Sequence, residues 1–267
     1  MQITTYLIPP AKKGVSFRAA VAADLHGADG RRALKLLKKM NPDMILIPGD
    51  LSDRFCKPPE MMSMSEWHGY RNAMRFLREA AEIAPVYYAL GNHEMGGVHS
   101  GNPLYNKNFP PYRPLDASIR EEVESFGVTI LDDSYVRVGD LVIGGLTSGL
   151  TYPDMIPNLK FLDEFASLGG YKLLLCHHPE YNQRHLKERA VDLTIAGHAH
   201  GGQWRFFGIP VFSPGQGILP RYTNGLYHGR LLVSRGLANR AKIPRIFNPT
   251  QLIILTLAPK ENGVVKP

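Results

Sequence analysis

Five short polar clusters, each directly after an apolar run of strand length, constrain this 267-residue chain more than any other feature. They are Asp24-Leu25-His26, Gly49-Asp50, Gly91-Asn92-His93-Glu94, Cys176-His177-His178-Pro179 and Gly197-His198-Ala199-His200. Each cluster alone is weak evidence, because a lone histidine after a strand is more often a core or surface residue than a ligand. Five such clusters in one chain indicate a shared polar site.

The apolar runs before the clusters predict buried strands at residues 17–23, 44–48, 86–90, 173–176 and 193–196. In an open α/β sheet, ligands bind beyond the carboxyl ends of the strands, so the clusters are expected to meet at one edge. The pairs Asp24/His26 and His198/His200 are two residues apart. In extended backbone such side chains point the same way, about 6.5 Å apart, which suits two neighbouring cations.

The order of the clusters resembles the calcineurin-like metallophosphoesterase superfamily, whose motifs run Asp-x-His, Gly-Asp, Gly-Asn-His-Asp/Glu, His and Gly-His-x-His. The match extends from Asp24 to His200. Finer features at residues 201–203, 234–237 and 245–247 resemble the YkuE-like bacterial branch. The resemblance implies an α/β fold: a sandwich of two mixed β-sheets flanked by helices.

The resemblance also implies a ligand set for two metal ions. One ion would be held by Asp24, His26, Asp50 and His200, and the other by Asp50, Asn92, His177 and His198. Asp50 would bridge the two ions. His177 is preferred to His178 because the family ligand directly ends its strand, and His178 remains the alternative.

The residue types support phosphoester chemistry independently. Two cations roughly 3.5–4 Å apart can clamp a phosphoryl group and lower the pKa of a water to give hydroxide near neutral pH. A shell of imidazole, carboxylate and amide without thiolate favours manganese, iron or zinc, and leaves the choice among them open. His93 follows the predicted ligand Asn92 and is expected to protonate the leaving group as a general acid.

Composition predicts a single catalytic domain over residues 1–267, since 44% hydrophobic and 21% charged residues are ordinary values and no linker or repeat interrupts the chain. No apolar run has the length of a signal peptide core or a membrane span. A cytoplasmic location is therefore expected, although members of the YkuE-like branch often carry an export signal or anchor. Two cysteines give no disulfide framework, and Cys176 is expected to be a buried strand residue.

Two early helices are predicted, one capped by Asp29 and stopped at Asn41, the other starting after Ser65. The apolar spacing of the second assigns its aromatic residues to the core. The segment 96–114 has neither helical nor strand periodicity and is expected to form part of a substrate wall.

The C-terminal third is cationic, because residues 193–260 contain no acidic side chain. The basic residues there are Arg205, Arg221, Arg230, Arg235, Arg240, Lys242, Arg245 and Lys260. Most are expected to be surface charges, but Arg221 and Arg235 are candidates for bidentate binding of substrate phosphate. Such a region suits a phosphorylated small molecule or lipid head group and a peripheral contact with an anionic membrane; nucleic acid is less favoured.

The predicted function is metal-dependent hydrolysis of a phosphodiester or pyrophosphate by metal-activated hydroxide, and the resemblance favours a lipid or envelope precursor. A nuclease or phosphomonoesterase using the same site is an alternative. A dinuclear hydrolase of non-phosphate bonds would share the metal chemistry without requiring the Gly-Asn-His motif. A non-catalytic scaffold is disfavoured because no expected ligand is missing.

Overall fold

The computed structural model describes residues 1–9, 15–53, 55–95, 115–149, 156–213, 216–239 and 244–258. Its helices are α1 (Arg31–Met40), α2 (Met64–Ala81), α3 (Ala117–Ser125) and α4 (Leu159–Ser167). Its strands are β1 (Gln2–Ile8), β2 (Phe17–Val21), β3 (Met44–Ile47), β4 (Val86–Ala89), β5 (Val128–Leu131), β6 (Ser134–Val138), β7 (Leu141–Leu146), β8 (Tyr171–Cys176), β9 (Leu193–Ala196), β10 (Arg205–Phe206), β11 (Ile209–Pro210), β12 (Phe212–Ser213), β13 (Gly217–Ile218), β14 (Gly225–Tyr227), β15 (Leu231–Val233) and β16 (Gln251–Leu257).

Two six-stranded sheets carry the fold. The first has the strand order β1-β16-β2-β3-β4-β5, with β16 antiparallel to β2 and the other neighbours parallel. The second has the order β14-β15-β9-β8-β7-β6, with antiparallel pairs only at its two edges. Both sheets are mixed, so the predicted fold class is confirmed.

The hydrophobic core has layers on both sides of the first sheet, because successive strand residues face opposite ways. Ala20 and Ile45 pack with Leu77 of α2 beneath the helices, whereas Val21 and Leu46 pack against the second sheet. On the outer face of the second sheet, α4 contributes a separate buried cluster. The parallel strands β2, β3 and β8 are buried along nearly their whole length, as strands covered on both faces should be.

Two helix starts differ from the sequence-based predictions. Asp29 does not cap α1, since Gly30 occupies the cap position and the Asp29 carboxylate binds the main chain and guanidinium of Arg31 instead. Ser63, not Ser65, caps α2, because only Ser63 stands three residues before Glu66 and can form the reciprocal capping box. The helix α1 ends at Asn41, as predicted, and Asn41 has a left-handed backbone conformation.

Three other expectations concern a loop segment, membrane-spanning helices and a cysteine. The segment 96–114, predicted to border the substrate, lies outside the described residues. Among the residues that are described, no helix is both long enough and apolar enough to cross a bilayer. Cys176 is fully buried at the end of β8, as expected.

Candidate metal centre

The five polar clusters meet beyond the carboxyl ends of β2, β3 and β4 in one sheet and β8 and β9 in the other. The chain leaves these strands through sharp left-handed turns rather than in extended backbone. The predicted ligands with positive φ are Asp24 (54°), His26 (50°), Asp50 (54°), His198 (65°) and His200 (46°). Non-glycine residues seldom adopt this region, and such strain concentrates at functional sites.

The sequence analysis expected Asp24/His26 and His198/His200 to lie in extended backbone, with each pair facing two neighbouring cations. The left-handed turns show that this expectation was wrong. His198 and His200 turn toward different groups of side chains. Asp24, His26 and His200 form one group, and Asp50, His177 and His198 form the other, with one donor atom of each member within 4.8 Å of the others in its group. Each group contains three of the four ligands in one set that the family resemblance implies; the exceptions are Asp50 in the first set and Asn92 in the second.

Asp50 belongs to the second group and also faces the first. Its Oδ2 is 2.9 Å from Nε2 of His177 and 3.8 Å from Nε2 of His26. In the first group, Nε2 of His26 is 3.3 Å from Nε2 of His200. A carboxylate in this place can contact ligands of both groups at once.

The donor atoms fit a bound metal, because several of them are buried without a hydrogen-bonding partner. They include Oδ2 of Asp24 and Nε2 of His198. His177 donates its Nδ1–H to the carbonyl of Pro48 at 2.9 Å, which directs Nε2 toward Asp50. Asn92, the remaining predicted ligand, is buried in the same turn region. This set of nitrogen and oxygen donors suits a first-row transition metal.

Burial and charge set the protonation of these histidines. Burial lowers the pKa of both His198 and His200 well below its usual value, so both rings are neutral, as metal ligands must be. Burial opposes the ionisation of Asp50, but His177 and His93 outweigh it and hold the pKa of Asp50 low. The same pairing raises the pKa of His177 to about 10, against the effect of burial.

Two glycines make room for the carboxylates. A Cβ atom at Gly91 would collide with the Asp50 carboxylate, and one at Gly197 would lie 2.7 Å from Oδ2 of Asp24. The carboxylates of Asp50 and Asp24 therefore occupy the space that a side chain at Gly91 or Gly197 would need, which explains the glycine in each of these motifs.

Glu94 holds the Gly-Asp turn in place. Its fully buried carboxylate accepts hydrogen bonds from the main-chain N–H groups of Asp50 (2.9 Å), Ser52 (2.9 Å) and Gly91 (2.8 Å). Three backbone donors on one carboxylate fix the conformation from which Asp50 reaches the site. The sequence analysis gave Glu94 no role, although it stands inside the Gly-Asn-His-Glu motif.

His93 lies at the site with its Nε2 3.8 Å from Oδ2 of Asp50. Its other ring nitrogen, Nδ1, lies 2.9 Å from Oδ1 of Asp53, which is also 2.8 Å from Nδ1 of His26. Burial opposes protonation of His93, but Asp50 and Asp53 raise its pKa overall. Asp53 was missed by the sequence analysis; its only signal is its position three residues after Asp50.

His200 is held from the C-terminal segment. Asn248 donates from its side chain to the His200 carbonyl at 2.7 Å, and Nη2 of Arg245 lies 3.0 Å from Nδ1 of His200. A guanidinium can only donate, so Nδ1 accepts and the neutral ring carries its proton on Nε2. The His200 ring must therefore turn, or lose its contact with Arg245, before its Nε2 can bind a metal.

His178, the alternative ligand, faces a different set of side chains. Its Nδ1 lies 3.2 Å from Oε1 of Glu180, and its ring centroid lies 4.3 Å from that of His198. Together with Glu180 and His198 it forms a further group of possible metal-binding side chains. His177 is the member of the pair that contacts Asp50, which supports His177 as the ligand.

The predicted phosphate-binding arginines differ in their surroundings. Arg221 is exposed, with its guanidinium 5.5 Å from the ring centroid of Tyr222. Arg235 is buried and donates to Oε1 of Gln2 at 2.6 Å. Arg230 donates to main-chain carbonyls, as do Arg205 and Arg245, so these cations of the C-terminal third mainly hold loops together. Arg240, Lys242 and Lys260 lie outside the described residues.

A cavity of about 570 Å³ opens beside the first ligand group. Its wall includes His26, Asp53 and Glu66 together with the neutral polar side chains of Ser52, Ser63 and Asn72. The cavity therefore joins the predicted metal ligands to a polar surface large enough for part of a substrate.

Comparison with known proteins gives relatives of the same kind. The chain is 27% identical over 237 residues to an uncharacterised metallophosphoesterase of Campylobacter jejuni, covering 85% of this chain and 54% of that protein. It is 24% identical to an uncharacterised metallophosphoesterase of Aquifex aeolicus, covering 98% and 94% of the two chains. It is 23% identical to the uncharacterised metallophosphoesterase YkuE of Bacillus subtilis, covering 96% and 83%.

The predicted resemblance to YkuE-like proteins is therefore confirmed at low identity. The chain spans about half the length of the Campylobacter relative. The model of the calcineurin-like phosphoesterase family matches residues 17–202, which include all five polar clusters. This match confirms the expectation of a metal-dependent phosphoesterase at the level of the family. With a match over more than half its length, the chain belongs to the calcineurin-like phosphoesterase family.

Proposed function

We propose that this protein is a dinuclear metal-dependent phosphoesterase that hydrolyses a phosphodiester or pyrophosphate, with a lipid or envelope precursor as its substrate. The observation that carries the proposal is the pair of buried ligand groups that approach each other at Asp50. Asp24, His26, Asp50 and His200 would hold one ion, and Asp50, Asn92, His177 and His198 the other. When bound, two such ions supply an activated hydroxide and neutralise charge on the phosphoryl group.

The protein's own side chains have separate tasks in this proposal. His93 delivers a proton to the leaving oxygen, because its Nε2 faces the site while Asp53 holds Nδ1. Asp53 fixes the rings of His93 and His26 together. Glu94 holds the turn that carries Asp50. None of these three tasks requires the side chain to bind a metal.

The substrate class is proposed from the surroundings of the centre. The cavity beside His26 can take a group attached to the phosphate, which favours diesters or pyrophosphates over small monoesters. Arg221 is exposed and able to bind a second phosphoryl group, whereas Arg235 must exchange its bond to Gln2 to do so. Nucleic acid remains the less favoured alternative; Tyr222, one candidate for base stacking, is buried against Tyr227.

Three organisational proposals accompany the function: a single domain over residues 1–267, a cytoplasmic location, and manganese, iron or zinc as the bound metal. The donor set supports the choice of metals, since it lacks thiolate. An apolar core running through both sheets supports the single domain.

The decisive experiment removes metal from the protein and reloads it with manganese, iron, zinc or magnesium. Each form is then assayed on aryl phosphate monoesters, diesters and a panel of pyrophosphates. We expect about two equivalents of bound metal and the highest kcat/KM on a diester or pyrophosphate. Full metal loading with no turnover of any phosphoester would favour the scaffold alternative. Preference for the monoester would contradict the proposed substrate class.

A further inference from the structure

Exposed apolar side chains concentrate on two small hairpins near the metal centre. The hairpin surface, as it is called below, consists of Phe206, Phe207, Ile209, Phe212, Ile218, Leu219 and Phe247. Strands β10 and β11 form one hairpin, and β12 and β13 form the other. Phe207 is fully exposed, and Ile218, Leu219 and Phe247 are between 71% and 79% exposed. Phe206 pairs with Ile209 in the first hairpin, and Phe212 pairs with Ile218 in the second. Exposed apolar side chains gathered in this way mark an interaction site.

Three of these exposed side chains belong to residues with an unfavourable, left-handed backbone conformation. Phe207, Leu219 and Phe247 have φ of 50°, 51° and 51°. Phe207 and Gly208 form the two-residue turn between β10 and β11, and both have positive φ, where asparagine, aspartate or glycine is normally preferred. A bulky apolar residue in this region is a genuine outlier. Three such residues on one surface indicate a functional reason for their side chains.

The hairpin surface is attached to the metal centre. Ser213 at the end of β12 donates to the carbonyl of Ala199, between the predicted ligands His198 and His200, at 3.1 Å. Phe247 packs edge-on against Phe206 with ring centroids 6.1 Å apart. A partner bound to the hairpin surface therefore lies next to the site where phosphate would react.

The charge around this surface identifies the partner. All of its residues fall in the acid-free stretch 193–260. Arg221 is exposed two residues after Leu219, and Arg205 donates to the Gly208 carbonyl, which brings its guanidinium to the turn that presents Phe207. Exposed apolar side chains in a stretch that carries arginines and no acidic residue suit an anionic bilayer better than a flat protein face.

We propose that the hairpin surface docks onto an anionic lipid bilayer, with Phe207, Leu219 and Phe247 entering the interfacial layer and Arg221 lying among the head groups. This surface would bring the metal centre to phosphates at the membrane. In that respect the inference rests on the lipid part of the proposed function, but membrane binding itself requires no hydrolysis.

The test is flotation with vesicles of equimolar phosphatidylcholine and phosphatidylglycerol, compared with vesicles of phosphatidylcholine alone. The triple variant Phe207→Asn, Leu219→Asn and Phe247→Asn removes the apolar tips, and asparagine tolerates positive φ, so the turns are retained. The matched control is His228→Asn, an exposed position with φ of 50° and no apolar side chain. Phe207→Asn alone serves if the triple variant does not fold.

We expect the wild type and His228→Asn to float with the anionic vesicles, less so at high salt, and the triple variant to lose about tenfold or more in partitioning. Phe207→Asn alone should show a smaller loss. All variants should hydrolyse a soluble aryl phosphate at the wild-type rate. Absence of vesicle binding by the wild type, or unchanged binding by the variants, overturns the inference.

A concentration-dependent dimer that the triple variant abolishes, without vesicle binding, would assign the surface to a second copy of the chain and also overturn it. Because flotation does not measure turnover, its failure is distinct from failure of the proposed function. A protein that floats but never hydrolyses a phosphoester would contradict only the latter.

Discussion

Oδ1 of Asp53 lies 2.9 Å from Nδ1 of His93, and the same oxygen lies 2.8 Å from Nδ1 of His26. One carboxylate therefore orients both the proposed proton donor and a proposed metal ligand. The arrangement leaves each ring with its Nε2 directed toward Asp50. Removal of this carboxylate should therefore affect proton transfer and metal binding together, whereas substitution of His93 should affect proton transfer alone.

His93→Ala is expected to keep its metals and fold while losing roughly 10²–10⁴ in kcat, the usual size of a general-acid contribution. The reason is that His93 delivers a proton and is not a ligand in the proposed site. Metal analysis and kcat on an alkyl ester and an activated aryl ester give the measurement. The loss should be smaller for the aryl ester, whose leaving group needs less protonation, and equal losses on both would contradict the role.

Asp53→Asn is expected to lower metal affinity about 10- to 100-fold, the usual effect of removing a carboxylate behind a histidine ligand. It should also lower kcat, because His93 loses the same partner. Titration of the metal-free protein with metal measures the first effect. The control is Asp29→Asn, whose carboxylate pairs with Arg31 and Arg75 on the surface. A variant with wild-type affinity would show that Asp53 does not position His26.

Asp50→Ala is expected to reduce both metal content and turnover, because Asp50 is the proposed bridge between the two ligand groups. Metal content of the purified protein, measured by elemental analysis, decides the matter. Retention of two equivalents with near-normal activity would contradict the bridging assignment.

Much of the site could be predicted because its ligands follow buried strands in recognisable clusters. The strands before Asp24, Asp50 and His177 form as predicted, and parallel strands deliver their ends to one edge. The backbone at the ligands could not be predicted from spacing. Asp24 and His26 adopt left-handed conformations that only the surrounding packing enforces, so the argument from extended backbone failed.

The residues that support the ligands were also not predicted from the sequence. Asp53, Glu94 and Arg245 act through hydrogen bonds to other parts of the chain, and Arg245 reaches His200 from 45 residues away. Such pairings depend on the folded arrangement of loops, for which a single sequence carries no periodic signal. The cationic stretch was recognised, but the use of its arginines to bind carbonyl groups was not predicted.

Arg221→Ala is expected to raise KM, or lower kcat/KM, for an extended diester or pyrophosphate while leaving a minimal aryl ester almost unchanged. A remote binding group acts only on substrates that reach it. Arg235→Ala should have the same selective effect if its side chain leaves Gln2 to bind substrate. Comparison of kcat/KM on both substrates gives the measurement. Wild-type ratios in both variants would mean that neither arginine binds substrate.

The capping box of α2 predicts a pH-dependent contribution to stability. Glu66 accepts from the Ser63 main-chain N–H at 2.8 Å and pairs with Lys57, and these contacts lower the pKa of Glu66 to about 2 from its usual 4.5. Because the folded pKa is the lower one, the contribution is complete above pH 4.5 and is lost as the pH falls toward 2.

Glu66→Gln keeps an acceptor for the capping box but removes the charge, so it should unfold with a free energy roughly 0.3–1 kcal/mol lower than the wild type at neutral pH. The difference in unfolding free energy between the two proteins should shrink as the pH is lowered from 4.5 toward 2, because the wild-type carboxylate then becomes neutral like the amide. Denaturant unfolding at several pH values measures it, with Glu164→Gln as the control because Glu164 is exposed on α4. A difference in unfolding free energy that stays constant down to about pH 2 would show that the charge of Glu66 does not stabilise the helix.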